Sequence, residues 1–106
     1  MKVYLLNSPV LTAYGLYDFS GPVSESHVKS RLANGFVSAV GHESTARLLS
    51  HLLGVRVNVD RTRIEMKPGD IAVIFRLLER IPVGEIDSVQ QLERTPYEMA
   101  ILERIS

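Results

Sequence analysis

The apolar run Ile71-Ala72-Val73-Ile74-Phe75 constrains the fold more than any other part of this 106-residue sequence. Its β-branched and aromatic residues favour a strand, and the lack of polar alternation indicates that both faces of that strand are buried. The turn signal Lys67-Pro68-Gly69-Asp70 stands directly before it. We therefore expect a central strand, inside a sheet that has other elements packed against it.

Two amphipathic helices are predicted to pack against this sheet. Ser24 can cap a helix over about residues 25–34, which Gly35 would end. A second helix is predicted over residues 43–53, because its apolar residues form a broad stripe and Gly54 follows as a stop signal.

Further strands are predicted from short apolar or alternating segments. Two are apolar runs, Val3–Leu6 and Phe36–Val40, and one is the final segment Tyr97–Ile105. The alternation of valines over residues 55–59, and of Ile64 and Met66 with charged neighbours over residues 63–66, predicts two more. Each of these segments is bounded by turn-forming residues.

The remaining stretches complete the expected order β-α-β-α-β-β-β-α-β. Residues 10–23 are predicted to be irregular, with one short helical turn at most, because Gly15, Gly21 and Pro22 interrupt them. A capping box at Asp87-Ser88-Val89-Gln90 predicts a short helix to about residue 93. The predicted fold is α/β, with a mixed β-sheet of about five strands flanked by helices, in one domain over residues 1–106.

Composition excludes several classes of function. The sequence has no cysteine, so disulfides, thiolate nucleophiles and cysteine zinc sites are excluded. The three histidines lack metal-ligand spacing, so no metal site is predicted. No apolar run approaches the length of a membrane span, so no membrane interaction is expected.

The charges balance overall but are unevenly distributed. Lysine and arginine number 12, as do aspartate and glutamate, which makes a non-specific duplex nucleic-acid binder a poor fit. Residues 47–80 contain seven basic and four acidic residues, whereas residues 81–106 contain two and five. A basic middle segment suits a small anionic ligand, although an ordinary mixed surface accounts for the charges equally well.

The segment Gly41-His42-Glu43-Ser44-Thr45 is the most informative for function. It joins a predicted strand to a predicted helix, where unpaired amides and the helix dipole favour an anion. Ser44 and Thr45 add hydroxyl donors, and His42 can transfer protons near neutral pH. A phosphodiester would find both charge stabilisation and a general acid there. The alternative is an ordinary helix cap beside a surface histidine.

Polar residues also follow two other predicted strands. Arg76 and Glu79 come just after the central apolar run, where a guanidinium can hold a phosphate and a carboxylate can orient a ribose. Strand alternation would place them on opposite faces, so they can act together only if the chain bends near Leu78. A solvated ion pair is the alternative. Asn7 and Ser8, at the end of the first strand, are ligand-binding candidates, or turn residues before Pro9.

Four motifs together resemble the viral type III anti-CRISPR ring nucleases. They are VYLLNSPVLT, GHESTARLL, TRIEMKPGD and RLLE, and they occur in the same order over nearly the whole chain. The Gly-His-acidic-Ser-Thr segment is the most specific of them. These small proteins form an archaeal-virus family that also has cellular members.

The resemblance implies a homodimer that binds cyclic tetra-adenylate across its interface in the cytoplasm of a prokaryotic host. It implies cleavage to linear di-adenylate with a 2′,3′-cyclic phosphate, without a metal or other cofactor, which ends type III CRISPR signalling. The catalytic roles would be carried by His42 as general acid, with Arg76 and Glu79 for charge and ribose positioning. The ligand contacts carried over are Asn7, Ser44, Thr45 and Arg63.

The chain departs from the archaeal viral pattern at two places. Ser8-Pro9-Val10 stands where those members have smaller or polar contacts, and Ala72 replaces a glutamine four residues before the motif arginine. Two alternatives to the nuclease remain, and these departures motivate the first of them. One is a module that sequesters a cyclic nucleotide without cutting it, and the other is a structural or protein-binding role as an obligate dimer.

Overall fold

A computed structural model describes residues 2–8, 13–61, 63–78 and 96–106. These residues form five strands and two helices. The predicted helix over residues 88–93 and the candidate residue Glu79 lie outside the described residues. The elements in chain order are β1 (Val3–Leu6), β2 (Tyr17–Ser20), α1 (Glu25–Leu32), β3 (Val37–Ala39), α2 (Glu43–Leu53), β4 (Ile71–Leu77) and β5 (Tyr97–Arg104).

The five strands form one mixed sheet in the order β2-β5-β4-β1-β3. Strand β1 pairs in parallel with both β3 and β4. Strand β5 runs antiparallel to β4 on one side and to β2 on the other. The apolar run 71–75 lies in the middle strand and is buried throughout. The predicted mixed sheet of about five strands, with a buried central strand, is confirmed.

Both predicted helices in the described part of the chain are present, although α1 ends at Leu32, two residues before its predicted end at about residue 34. The Ser24 hydroxyl accepts a 3.2 Å hydrogen bond from the His27 amide and caps α1. Helix α2 ends at Gly54, which adopts the left-handed conformation at φ 67° and donates its amide to the Ser50 carbonyl at 3.0 Å. Glycine suits this position because it carries no Cβ.

The two faces of the sheet are covered differently. Both helices contribute to the larger core, in which Leu48 and Leu49 of α2 are buried with inward residues of the sheet. Those sheet residues are Leu5, Ile71, Val73, Phe75, Met99 and Ile101. We call this side the helix face. On the other side, Tyr4, Leu6, Ala72, Ile74 and Leu102 form a smaller cluster with Met66. We call that side the second face.

The segments 55–59 and 63–66 are not strands, so these two predictions are wrong. Strands require ladder partners, and residues 55–59 have only one isolated bridge, between Val59 and Val40. The carbonyl of Asn58 instead accepts the Ser38 hydroxyl. The alternation of Ile64 and Met66 reflects packing against the second face of the sheet.

A strand is present where irregular backbone was predicted. Within the described part of residues 10–23, Tyr17 to Ser20 form β2 and pair with β5 from Arg104 to Ile101. This strand lies at the edge of the sheet and its side chains are mostly exposed. Hydropathy therefore carries little signal for it, and the flanking glycines and proline bound the strand instead of disrupting it.

Asp70 ties together the beginnings of β1 and β4. Its carboxylate accepts hydrogen bonds of 2.9 Å from the amide of Lys2 at Oδ1 and from the amide of Lys67 at Oδ2. The side chain is buried, at 5% exposure. Burial alone would raise the pKa of this carboxyl, but the amide hydrogen bonds and the nearby positive charge of Lys2 outweigh it and lower the pKa.

Candidate functional site

A cavity of about 270 Å³ opens where the carboxyl ends of the parallel strands meet. Such an edge is a common ligand position in sheets with parallel strands, because the following loops converge there. Asn7 and Ser8 reach the cavity from the end of β1, and His42 reaches it from the turn after β3. The first turn of α2 contributes Thr45, and β4 contributes Phe75 and Leu77. Four sequence-predicted residues therefore line one cavity.

His42 is the N-cap residue of α2 but does not use its side chain to cap the helix. Its backbone is extended, at φ −123° and ψ 134°, and its carbonyl accepts the Ala46 amide at 3.0 Å. The side chain is half-buried and forms part of the cavity wall. The imidazole is thus placed beside the cavity without being committed to holding the helix end, as a proton-transfer role requires.

Ser44 and Thr45 occupy the first turn of α2 and are both buried, at 2% and 4% exposure. Thr45 borders the cavity. Ser44 is not among the residues that line it. Since first-turn amides lack intrahelical partners and carry the positive end of the helix dipole, this wall favours an anion. Of these two helix residues predicted to contact ligand, only Thr45 lines the cavity.

Strand β4 contributes an apolar surface to the cavity. Phe75 is buried and Leu77 is half-buried, and the Phe75 ring lies 5.1 Å from the ring of Tyr97, centroid to centroid. Such a surface can accept a ribose or base, while the polar residues meet a phosphate. Sequence reasoning did not assign these two residues to the site. The sequence signal that could have found them is side-chain alternation along β4, because this buried strand ends where the loops converge.

Arg76 lies on the opposite side of the sheet from Phe75 and Leu77, because consecutive strand residues alternate between faces. Its register partner is Glu98 of β5, and the Arg76 Nε lies 3.4 Å from the Glu98 Oε1. Both side chains are partly exposed, at 41% and 29%. Within one chain, therefore, the predicted arginine is separated from the His42 cavity and engaged in an ion pair.

Two of the three arginines between α2 and β4, Arg61 and Arg63, differ in their surroundings. Arg63, a predicted ligand contact, is exposed and is not one of the cavity-lining residues. Arg61 was not predicted to belong to the site, yet its Nε donates a 2.8 Å hydrogen bond to the carbonyl of Gly41, next to His42. Nothing in the local sequence signals this bond, because the two residues are 20 positions apart.

The described residues contain neither a metal-binding cluster nor a membrane-spanning helix. Among them there is no group of three or more histidine, aspartate or glutamate side chains placed to hold a metal ion. The two helices there are too short and too polar to cross a membrane.

Comparisons with known proteins place the chain in a family. The sequence matches the model of the STIV B116-like family over residues 3–99. It is 32% identical over 108 residues to the uncharacterised protein YddF of Bacillus subtilis (strain 168), which covers 99% of both chains. It is 39% identical over 71 residues to the uncharacterised protein ORF117 of Acidianus two-tailed virus, which spans 66% of this chain but only 61% of that protein.

The fold is also seen in a solved structure from an archaeal virus. B116 of Sulfolobus turreted icosahedral virus superposes with a TM-score of 0.73 over 98% of this chain and 100% of that one. The two sequences are only 19% identical. This similarity supports the mixed-sheet architecture described above.

Proposed function

This chain belongs to the STIV B116-like family, a family of small archaeal-virus proteins with a bacterial member, and from that premise we propose that it is a metal-independent ring nuclease. Its substrate would be cyclic tetra-adenylate, and its product linear di-adenylate with a 2′,3′-cyclic phosphate. Cleavage in the cytoplasm of the host would end type III CRISPR second-messenger signalling.

The observation that carries the proposal is the position of His42. Its uncommitted side chain borders a cavity at the amino end of a helix, and the other polar lining residues in the described part of the chain are Asn7, Ser8 and Thr45. A phosphodiester bound there would have its charge met by amide and hydroxyl donors. The imidazolium would stand within reach of a leaving oxygen, as general acid catalysis requires.

The proposed reaction is an in-line transesterification. The ribose 2′-oxygen attacks the adjacent phosphorus and forms the new P–O2′ bond, while its proton passes to solvent. The P–O5′ bond breaks, and His42 donates a proton to the departing 5′-oxygen. Each cut gives one 2′,3′-cyclic phosphate and one 5′-hydroxyl, so two cuts convert the ring into two di-adenylates.

Binding would supply much of the acceleration. A relaxed ring disfavours the in-line arrangement, and holding reacting atoms in line is worth roughly 7–11 kcal/mol in well-oriented systems. A placed general acid adds roughly 10²–10⁴-fold in rate. The apolar surface of Phe75 and Leu77 would hold the nucleoside while the polar wall holds the phosphate.

The proposal includes a homodimer with the ring bound between two copies. Arg76 and Glu79 are assigned by resemblance to transition-state charge and ribose positioning. In a single chain Arg76 stands on the second face of the sheet, away from the His42 cavity. A ligand that contacts two copies can meet the helix-end groups of one and the arginine of the other, and a symmetric pair gives two equivalent cuts.

The decisive experiment is chromatography of cyclic tetra-adenylate after incubation with the protein in EDTA. We expect linear di-adenylate with a cyclic phosphate end. His42→Ala should lower turnover at least about 100-fold while leaving binding largely intact. His51→Ala is the matched control, because His51 lies exposed in the last turn of the same helix.

Three outcomes would contradict this proposal. Loss of activity in EDTA would refute the metal-independent mechanism. Loss of binding in His42→Ala, with an unchanged single-turnover rate, would refute the general-acid role. A ring that stays intact with excess wild-type protein would refute cleavage altogether.

The second candidate function is a module that sequesters the ring without cutting it. The Arg76–Glu98 ion pair and the absence of a glutamine at position 72 favour it, because both reduce the groups available to the transition state. Micromolar or tighter binding by calorimetry, with the ring intact after many hours, would support this candidate over the nuclease.

A further inference from the structure

We propose that Arg61 holds a phosphate of the ligand beside His42, an inference that rests on the proposed function and extends it to a residue outside the cavity wall. The family resemblance does not assign Arg61 a role. The Arg61 guanidinium is anchored next to His42 through its Nε, and this leaves its two terminal nitrogens available to a ligand.

The segment that carries Arg61 is fastened to the turn that carries His42. The amide of Asp60 donates a 2.9 Å hydrogen bond to the Val40 carbonyl, and Val40 and Val59 form a parallel bridge. The Arg61 side chain then lies against Gly41, where an added Cβ would meet its Cγ at 3.5 Å. Backbone and side-chain contacts thus fix Arg61 next to the catalytic candidate.

The anchoring bond leaves the outer part of the guanidinium free to bind. Only Nε donates to the Gly41 carbonyl, at 2.8 Å. The two terminal nitrogens keep the geometry that binds two phosphate oxygens at once. Because Nε is already held, less side-chain entropy is lost when a ligand binds.

The arginine within the GHESTARLL motif is already paired with a carboxylate. Arg47 donates to Glu43 at 2.5 Å, one turn away on the same helix. That pair neutralises the acidic residue of the Gly-His-Glu-Ser-Thr segment. The Arg61 guanidinium forms no ion pair with a carboxylate in the described part of the chain, so an anionic ligand beside His42 can recruit it.

The test measures binding of cyclic tetra-adenylate in a His42→Ala background, so that the ring stays intact. Arg61→Gln should raise Kd at least about tenfold, and should reduce the slope of log Kd against log salt by about 0.7, as expected for one lost phosphate contact on a single strand. Arg56→Gln is the control. Arg56 is also exposed, but it follows the opposite end of α2.

Steady-state kinetics of variants that retain His42 distinguish an effect on ligand binding from an effect on the chemical step. Arg61→Gln should raise KM while kcat stays within about threefold, and Arg61→Lys should recover part of the affinity because it keeps the charge without the planar fork. Equal Kd values for Arg61→Gln and Arg56→Gln would overturn the proposal. So would a fall in kcat with no change in Kd. An unchanged circular dichroism spectrum verifies that each variant is folded.

Failure of the proposed function is a distinguishable outcome. If the protein with native His42 and Arg61 neither binds nor cleaves cyclic tetra-adenylate, the nuclease proposal fails. Inorganic pyrophosphate is then the probe, titrated while amide resonances are recorded. Shifts at Gly41 and His42 that vanish in Arg61→Gln would retain Arg61 as an anion-binding residue, and the absence of shifts would overturn it.

Discussion

Replacing Asp70 by asparagine tests how the two parallel strands β1 and β4 are joined at their beginnings. The carboxylate accepts two amide hydrogen bonds of 2.9 Å at 5% exposure. Hydrogen bonds to charged groups contribute about 1.5–3 kcal/mol each. Asparagine keeps one acceptor oxygen, loses the charge, and turns an NH₂ group toward one of the amides. Relief of the buried charge offsets part of the loss, so we expect about 2–3 kcal/mol of destabilisation at pH 7.

Urea denaturation at fixed protein concentration measures this loss. With a slope of about 1.5 kcal/mol per molar urea, the midpoint should fall by about 1.3–2 M. Asp18→Asn is the control, because Asp18 is exposed on the edge strand β2. Its midpoint should stay within about 0.3 M of the parent.

The pH dependence gives a second readout. Despite the opposing effect of burial, the amide hydrogen bonds and Lys2 lower the pKa of folded Asp70 below its ordinary value. The ionised group therefore stabilises the fold above the unfolded-state pKa of about 3.9, and this contribution is lost as pH falls through the folded-state pKa. The difference in free energy of unfolding between the parent and Asp70→Asn should therefore narrow below about pH 4. A difference under about 0.5 kcal/mol at pH 7, or one that does not narrow in acid, would refute this reasoning.

Two further substitutions probe the helix end and the ion pair. Gly54→Ala should destabilise the fold by about 1 kcal/mol, lowering Tm by roughly 4–8 °C, because only backbone strain opposes the added Cβ at φ 67°; an unchanged Tm would contradict this. Arg76→Ala should weaken both binding and turnover of cyclic tetra-adenylate, while stability changes by less than about 1 kcal/mol because the Arg76–Glu98 pair is partly exposed. Turnover at the parent level in folded Arg76→Ala would remove this arginine from the site.

Local signals predicted the elements whose side chains face the core. The apolar run of β4 and the stripe of α2 each have a periodicity that matches their burial, and Ser24 and Gly54 mark helix ends through their own backbone chemistry. The alternation of apolar and charged residues over 63–66 wrongly predicted a strand, because Met66 packs on the second face of the sheet without joining a ladder. The edge strand β2 was missed because it exposes most of its side chains.

The candidate site was predictable only in part, because strand ends can be located in the sequence whereas contacts between distant segments cannot. Asn7, Ser8, His42 and Thr45 follow strand ends or begin a helix, and parallel strands bring such positions together. The partner of Arg76 was not predictable, because Glu98 opposes it through the antiparallel register of β4 and β5. The bond between Arg61 and Gly41 likewise depends on a tertiary contact across 20 residues.

The strand order also governs when this chain can fold during synthesis. Strand β1 is made first but pairs with β3 and β4, and the Asp70 bond that secures its beginning closes across 68 residues. Strand β2 finds its ladder only in β5, the last strand, and the Arg104 bond to the Tyr14 carbonyl spans 90 residues. Such distant pairings make folding slow relative to a helical protein of this size. A ribosome must therefore release nearly the whole chain before the sheet can close. Until then β2 lacks its ladder partner and β1 can pair only with β3, which leaves strand edges that chaperones can bind.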